Sequence, residues 1–336
     1  MARAAASDSV RLDPRQTSGH MLGVLAGALM MVALHPAVGL PVAAFGLTGM
    51  AYGRRSALAF VAAAIGGVLG GLLGRATVYT IVVPLVSVAP TLSTAIVYAG
   101  VTTASLLVAG PVAAAALKRR GAVEAVVIVV LGLSVVQYLA LAVLAASAGQ
   151  AIGEFVGAAV AAMAAQMASV AEMQEAIVEA WPGLMVAMNM FAAVLVVAVA
   201  SRSASRRGVP VRGVPALVTF DLDPRFAVLP IAAIALIAAG RLPIEAAPSL
   251  AAAGTNLLIV ARWVFFVQGI AVFAGLYERA GLSRGVRRMG YVVLGITEAL
   301  LPLVSLTGLA DVWLNVRRLP RDGARPGVVE APSGRD

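Results

Sequence analysis

Long, continuous apolar segments separated by short polar loops are the dominant feature of this chain. Of its 336 residues, 61% are hydrophobic and only 12% are charged. Soluble domains contain about 45–50% apolar and about 25% charged residues. A soluble fold could not hold so much apolar surface without exposing large patches of it. The sequence therefore predicts an integral membrane protein and excludes a soluble enzyme.

The pattern of the apolar segments predicts helices. They are unbroken, whereas the strands of a transmembrane β-barrel alternate polar and apolar residues in segments of about ten. A full helical span needs about 20 residues, and the first two segments are short enough to suggest a close hairpin. We predict an all-α, polytopic transmembrane helix bundle of about eight full spans between residues 19 and 318. These spans are residues 19–34, 37–52, 58–73, 92–117, 123–146, 183–200, 226–239 and 250–277.

Two further segments do not fit as plain spans. Residues 77–90 contain Pro84 and Pro90, and they predict an interfacial or re-entrant segment, which is tolerated only where protein or water covers its backbone. Residues 148–181 contain four glutamates and neither Lys nor Arg. They predict an amphipathic helix or helical pair on the outer surface that ends at Trp181-Pro182, because Trp is a frequent anchor at the membrane interface.

The last apolar region, residues 289–316, has a basic loop before it and a basic tail after it. The positive-inside rule places both of these on the same side of the membrane. A broken pair of short helices that enters and returns satisfies this rule, with Pro302 and Thr307-Gly308 as the candidate breaks. We favour this broken or re-entrant region, with nine plain spans as the alternative.

The basic residues give the chain its orientation. The net charge is +9, and all of the 25 basic residues except Arg75, Arg241 and Arg262 lie in six short clusters beside apolar segments. We assign these clusters to the cytoplasmic side, in contact with anionic lipid headgroups. This predicts a multi-pass protein of the bacterial plasma (inner) membrane with disordered cytoplasmic tails at 1–18 and 319–336 and a basic cytoplasmic loop at 201–225. No aromatic residues are interleaved with the basic ones, so a nucleic-acid partner is not expected.

The residue types needed for most catalytic and metal sites are scarce. The chain has no Cys, and its only two histidines, His20 and His35, lie near its beginning. Thiolate sites and disulfides are therefore excluded, and a His-rich metal cluster is not expected. No nucleotide-binding, serine hydrolase or metalloprotease motif occurs in a suitable context. We expect no enzymatic activity, no cofactor and no metal.

Two glycine stripes run along apolar segments at four-residue spacing, which places each stripe on one helix face. They consist of Gly19, Gly23 and Gly27, and of Gly66, Gly70 and Gly74. Small residues at this spacing allow helix backbones to approach closely. Two interpretations remain open, namely packing inside one bundle and a docking face for a partner membrane subunit.

Polar residues deep in apolar segments are candidates for binding a ligand, because each is costly to insert there. The candidates are Gln137, Asn189, Asn256, Arg262, Gln268 and Glu298. An ion pair between Arg262 and Glu298 would allow both to be buried, either as a clamp between helices or in contact with a substrate. Asn256, Arg262 and Gln268 are six residues apart, so on one helix they point in directions about 120° apart. They therefore cannot all face one cavity, and we expect one or two to bond to neighbouring helices.

The C-terminal half contains a set of short motifs. Phe220-Asp221-Leu222-Asp223-Pro224 precedes an apolar segment, Gln268-Gly269 follows Asn256, and Gly308-Leu309-Ala310-Asp311 is followed by Arg317. These motifs resemble the YybS-like family of uncharacterised bacterial membrane proteins over residues 19–318. The family-motif residues are Asp221, Pro224, Gly269, Gly308, Asp311 and Arg317. That family looks like a distant relative of the substrate-binding subunits of energy-coupling-factor transporters.

This resemblance implies a small-molecule-binding subunit of an uptake system. Such a subunit would work with a coupling membrane subunit and ATP-binding-cassette ATPases, and the glycine stripe of the first span would be its docking face. The alternative is a non-transporting scaffold or regulatory protein. Its working parts would be the basic loop around Arg202–Arg225 and the segment Asp311–Arg318.

Overall fold

A computed structural model describes residues 14–33, 36–53, 56–81, 92–165, 168–211 and 216–320. Within these ranges the regular structure is helical, and no strand occurs. Of the tails predicted to be disordered, residues 14–18 instead form the beginning of α1, and residues 1–13 and 321–336 lie outside the described residues. The α-helices are α1 (Pro14–Ala33), α2 (Pro36–Ala51), α3 (Ser56–Ile81), α4 (Leu92–Leu107), α5 (Ala113–Arg119), α6 (Ala122–Ser147), α7 (Ile152–Ala164), α8 (Ala168–Ala171), α9 (Gln174–Arg206), α10 (Val228–Ala239), α11 (Ala247–Arg279), α12 (Arg284–Leu300) and α13 (Leu303–Leu314).

Among the described residues, four helical segments are long and apolar enough to cross a membrane. They are residues 95–119, 122–147, 174–206 and 247–279. The first consists of α4 and α5, which a π-helical turn at Val108–Val112 joins into one segment around Pro111. The bent pair of α12 and α13 would be a fifth span if it crosses as one unit.

The predicted count of eight full spans is not supported. In the segments predicted at 19–34, 37–52, 58–73 and 226–239, the apolar helical stretches found among the described residues are only 10–17 residues long, at 18–32, 38–51, 57–73 and 224–239. Helix α2, for example, has 16 residues. At 1.5 Å per residue it is about 24 Å long, which is less than the hydrocarbon thickness of about 30 Å.

Helices α1 to α6 and α9 share one apolar core. Its buried residues are mostly Ala, Val and Leu, and the largest of them have no exposed surface, among them Leu40, Leu47, Leu106, Leu117 and Leu133. Each of these helices is apolar on most of its circumference. This is the composition expected of helices that contact either protein or lipid on every side.

Glycines allow α1, α2 and α3 to approach closely. A Cβ added at Gly27 would lie 2.6 Å from the Cβ of Ala43 on α2, and one at Gly66 would lie 2.7 Å from Val24 Cγ1 on α1. A Cβ at Gly70 would clash with Ala28 on α1. These three glycines therefore lie against neighbouring helices inside the bundle.

The other glycines of the two stripes differ. No atom lies within 4 Å of a Cβ added at Gly19, and at Gly23 the nearest is the Val42 carbonyl oxygen at 4.0 Å. The surroundings of Gly74 lie outside the described residues. Among the glycines whose surroundings the structure describes, the docking interpretation therefore remains open only at Gly19 and Gly23, at the beginning of α1.

The segment predicted as an outer amphipathic pair is divided differently. Helices α7 and α8 lie within 148–181, but α9 begins at Gln174 and continues through Trp181-Pro182 to Arg206. The predicted end at Pro182 is therefore wrong, because the helix passes through this proline. In the segment predicted at 77–90, α3 remains helical to Ile81, and residues 82–91 lie outside the described residues.

The last apolar region is broken, as predicted. Helices α12 and α13 meet at 101°, and the break falls at Leu301-Pro302. Thr307-Gly308 is not a break, because it lies inside α13. After α13, Arg317 lies beside Gly275 and Val218, so the chain returns toward the end of α11 from which α12 starts. This path favours the returning hairpin over a single crossing.

Helix α12 is strongly amphipathic. One face carries a stripe of apolar side chains at helical spacing, which are between 53% and 76% exposed: Val286, Met289, Val293, Ile296 and Leu300. The opposite face carries Leu294 and Glu298, which are buried. A helix with this pattern and basic residues in its first turns is suited to the boundary between headgroups and acyl chains.

Candidate functional site

An interhelical pair of amides lies in the N-terminal bundle. Gln137 of α6 and Asn189 of α9 exchange two hydrogen bonds of 3.1 Å, one in each direction. Asn189 Nδ2 also donates to Ser134 Oγ at 3.1 Å. Among the described residues, these contacts use one of the two hydrogens on Gln137 Nε2, so the second can reach a ligand.

This amide pair lines a cavity of about 440 Å³ between α1, α4, α6 and α9. The other polar lining side chains are Tyr98, Thr102 and Ser105 of α4. Thr102 Oγ1 donates to the Tyr98 carbonyl oxygen at 2.7 Å, so its own lone pairs remain as acceptors. The apolar lining comes from Met31, Val32, Val101, Leu184, Met185 and Met188. The cavity therefore offers neutral donors and acceptors within an apolar wall, and among the described residues no charged side chain lines it.

Asn256 of α11 does not reach this cavity, because its amide serves the backbone of α9. Its Oδ1 accepts from the Gly183 N–H at 2.6 Å, and its Nδ2 donates to the Glu179 carbonyl oxygen at 3.0 Å. In a regular helix these two backbone groups pair with each other. They flank Pro182, which lies inside α9. Asn256 therefore stabilises the helix at the proline.

The predicted ion pair between Arg262 and Glu298 is confirmed. Arg262 Nε donates to Glu298 Oε1 at 2.7 Å, and Arg262 Nη2 bonds to the Glu298 carbonyl oxygen. The second carboxylate oxygen accepts from the N–H groups of Val304 and Ser305, at 3.1 and 3.0 Å. Glu298 thus caps the N-terminus of α13, where a negative charge is favourable. The geometry is that of a clamp between helices.

A second charged cluster lies at the other end of α13. Arg317 Nε donates to Asp311 Oδ2 at 3.0 Å, and its Nη2 lies 2.9 Å from the same oxygen and 3.4 Å from Asp221 Oδ1. Its Nη1 donates to the carbonyl oxygens of Val218 and Phe220, at 3.2 and 2.6 Å. The Arg317 side chain is only 2% exposed and the Asp311 side chain is fully buried.

Gln268 of α11 completes this cluster. Its Nε2 donates to Asp311 Oδ2 at 2.9 Å and to Asp221 Oδ1 at 3.2 Å, while its Oε1 accepts from the Leu222 N–H at 3.1 Å. The cluster therefore joins α11, the end of α13 and the loop before α10. We call these four residues, Asp221, Gln268, Asp311 and Arg317, the C-terminal latch.

The remaining motif residues position the latch. Asp223 Oδ1 accepts from the Arg225 N–H at 2.8 Å, and Pro224 begins the 3₁₀ turn Pro224–Ala227 that leads into α10. Gly269 and Gly308 lie where α11 and α13 cross. A Cβ at Gly308 would clash with the Phe265 carbonyl oxygen, and one at Gly269 with that of Val304. Both glycines are required for this close crossing.

Sequence reasoning predicted the members of the latch but not their meeting. Gln268 is predicted as a ligand candidate, Asp221, Asp311 and Arg317 are predicted as family-motif residues, and the scaffold alternative also uses the segment Asp311–Arg318. The structure directs Asn256, Arg262 and Gln268 to three different neighbours, as their 120° separation requires. Of the six ligand candidates, only Gln137 and Asn189 line the cavity between α1, α4, α6 and α9.

The chain is similar to one known protein family. The family model described as "Predicted membrane protein (DUF2232)" matches residues 55–312. The chain belongs to the DUF2232 family. The DUF2232 match includes the cavity-lining amides and all of the latch except Arg317, which lies five residues beyond its end. No curated protein and no solved structure matches the chain.

Proposed function

We propose that this DUF2232 protein is a small-molecule-binding subunit of a membrane uptake system, without enzymatic activity of its own. We place it in the bacterial inner membrane with its N-terminus in the cytoplasm. The observation that carries the proposal is the cavity of about 440 Å³ with the Gln137–Asn189 pair in its wall. Small-molecule sites are concave, mostly apolar and about 300–1,000 Å³ in volume, with a few placed polar groups.

The lining indicates the class of ligand. The polar groups are two amides and the hydroxyls of Tyr98, Thr102 and Ser105, all of which are neutral. A charged ligand without an opposite charge in the wall would lose its hydration without compensation. We therefore propose a neutral ligand that carries hydrogen-bonding groups at one end and an apolar body at the other.

Energy for uptake would come from other chains. The sequence contains no phosphate-binding loop for ATP. In agreement with the resemblance to energy-coupling-factor substrate-binding subunits, we propose a coupling membrane subunit and ATP-binding-cassette ATPases as partners. The beginning of α1 is the candidate docking face, because Gly19 and Gly23 have no close neighbours among the described residues.

One observation weighs against the scaffold alternative. That alternative uses the segment Asp311–Arg318 as a working surface, but Asp311 and Arg317 are buried in the latch. Their charges bind each other and the loop before α10, so they are not available to a partner.

The proposal is tested by a pull-down of the tagged full-length protein from its native membrane in mild detergent, followed by mass spectrometry. We expect a coupling membrane subunit together with ATP-binding-cassette ATPases. Gly19→Leu should reduce their recovery, whereas Gly285→Leu, at another open helical glycine, should leave it unchanged. Recovery of soluble cytoplasmic proteins without an ATPase would instead support the scaffold.

A further inference from the structure

A second cavity, of about 610 Å³, lies where the end of α2 meets α3 and α5. Its lining combines two chemically different parts. Lys118 and Arg119 at the end of α5 provide positive charge, while Phe60 of α3 and Pro111 and Ala115 provide an apolar wall. This cavity is separate from the one lined by Gln137 and Asn189, since the two share no lining residue.

The two cations at this cavity are not neutralised within the described part of the chain. Lys118 and Arg119 are both exposed, and no described carboxylate lies within 4.0 Å of either. Glu124, the nearest acidic residue in sequence, forms no described ion pair with them. An anion that enters the cavity would therefore meet an uncompensated charge of +2.

A tyrosine adds a polar group to the same cavity. The Tyr52 hydroxyl makes a long contact of 3.4 Å to the Ala114 carbonyl oxygen. Burial raises the pKa of Tyr52 to about 12, so its hydroxyl keeps its proton at neutral pH. By giving up its long bond to the Ala114 carbonyl oxygen, it can donate a hydrogen bond to an anionic oxygen beside Lys118 and Arg119.

The apolar wall distinguishes this cavity from a simple phosphate site. Phe60 is 54% exposed although it lies in the apolar helix α3, and Ala115 is exposed beside it. In a membrane-embedded bundle, an exposed aromatic ring at this position is available to an acyl chain. The charged and apolar parts adjoin, as the headgroup and tails of a phospholipid do.

We propose that this cavity binds an anionic phospholipid, with the phosphate at Lys118, Arg119 and the Tyr52 hydroxyl and the upper acyl chain against Phe60. The charge pattern places the end of α5 on the cytoplasmic side, where anionic lipids attract basic residues. Basic pockets between helices on that side are suited to such headgroups. A soluble phosphate compound would use the same cations but not the apolar wall.

Native mass spectrometry of the full-length protein in detergent tests this assignment, with phosphatidylglycerol as the probe and phosphatidylcholine as the zwitterionic comparison. We expect phosphatidylglycerol to bind more tightly. The double variant Lys118→Gln/Arg119→Gln should weaken its binding by roughly 30-fold. This value assumes that each of the two lost charges contributes about 1 kcal/mol near a membrane surface. Because both side chains are exposed, the thermal midpoint of the variant should remain that of the wild type.

The matched control removes two other exposed basic residues, in Arg202→Gln/Arg225→Gln, and should change the affinity by less than about twofold. A charge-preserving variant, Lys118→Arg/Arg119→Lys, should bind phosphatidylglycerol with nearly the affinity of the wild type. If the control and the test variant lost the same amount of affinity for phosphatidylglycerol, the proposed site would be wrong, since the effect would then come from the net charge alone.

Inorganic phosphate separates the two possible sources of the phosphate group. We expect millimolar inorganic phosphate not to displace phosphatidylglycerol, and Phe60→Ser to weaken lipid binding. Displacement by inorganic phosphate together with an unchanged affinity in Phe60→Ser would overturn the lipid assignment in favour of a soluble anion. Equal binding of phosphatidylcholine and phosphatidylglycerol would overturn it as well.

Discussion

The two ends of this molecule are held together by different forces. Around α1 to α6 and α9, a continuous core of small and branched apolar residues packs closely. Around α10 to α13, the buried apolar cluster of the described residues consists of Leu222, Phe265 and Val312. There, contacts of charged and amide side chains, in the latch and the Arg262–Glu298 clamp, are added to the close crossing of α11 and α13 at Gly269 and Gly308.

The difference shows two solutions to the same problem. Inside a bilayer the hydrophobic effect does not drive helices together, so they associate through close packing or through polar contacts. Close packing needs small residues such as Gly27. A single substitution in it changes the stability by an amount that depends on how far the helices must separate. Polar contacts are sensitive to the loss of any one partner, because a buried charge left alone is costly. The N-terminal region also contains the proposed ligand cavity, so its packing can leave a cavity of about 440 Å³ open.

The largest expected effect comes from breaking the latch. Arg317→Ala would leave Asp221 and Asp311 without their cation, at a cost of about 3–5 kcal/mol. We expect a large drop in the thermal midpoint in detergent and rapid proteolysis after α11. The control is the neighbouring, exposed Arg318→Ala, which should behave like the wild type. Equal stability of the two variants would show that the latch does not hold this region.

Overpacking the N-terminal bundle should have a smaller effect. A Cβ at Gly27 would lie 2.6 Å from Ala43 Cβ, so Gly27→Ala should cost about 1–3 kcal/mol as the helices separate. At Gly19 there is open space, and Gly19→Ala should be neutral or stabilise the helix by up to about 1 kcal/mol. Thermal unfolding of both variants measures the difference. A stable Gly27→Ala would argue against close packing at this position.

The Arg262–Glu298 clamp is tested by a double-mutant cycle. Because the Arg262 side chain is 40% exposed, we expect a coupling of about 1 kcal/mol, near the lower end for residues in contact. Arg262→Ala and Glu298→Ala should together destabilise the protein less than the sum of the single variants. Additive shifts in the thermal midpoint would show that the two residues act independently.

The smallest expected effect is at the amide pair. Gln137→Met removes the hydrogen bonds to Asn189 but keeps the volume of the side chain, and polar contacts between membrane helices contribute about 0.6 kcal/mol on average. Its thermal midpoint should therefore be close to that of the wild type. If Gln137→Met lowered the thermal midpoint as much as Arg317→Ala does, polar contacts would be equally important in the N-terminal bundle and around the latch.

The sequence alone predicted the features of the fold that depend on local composition or on the cost of burying charge. The spans at 92–117 and 123–146 agree with the structure within a few residues, because uninterrupted apolar runs leave few alternatives. Pro302 was predicted as a break, since proline removes a backbone donor from a helix. Arg262 and Glu298 were predicted as a pair, since two opposite charges at membrane depth are costly unless they meet.

Other features depend on tertiary contacts that no local pattern records. Pro182 indicated the end of a helix, but α9 continues through it because Asn256, more than seventy residues later, supplies its amide to the backbone. The latch joins Asp221, Gln268 and Arg317 from three distant parts of the sequence. The short motifs indicated that these residues matter, but their spacing could not show that they meet.

The proposed ligand cavity is tested most directly by small molecules that remain bound to the purified protein. Met188 lines the cavity and is 36% exposed, so Met188→Trp should fill the space without unfolding the bundle. Met173→Trp changes a 58% exposed methionine outside the cavity and is the matched control. Mass spectrometry of denatured extracts should find a neutral, partly apolar compound with the wild type and Met173→Trp but not with Met188→Trp. If all three proteins carry the same compounds, or none, this cavity is not a ligand site.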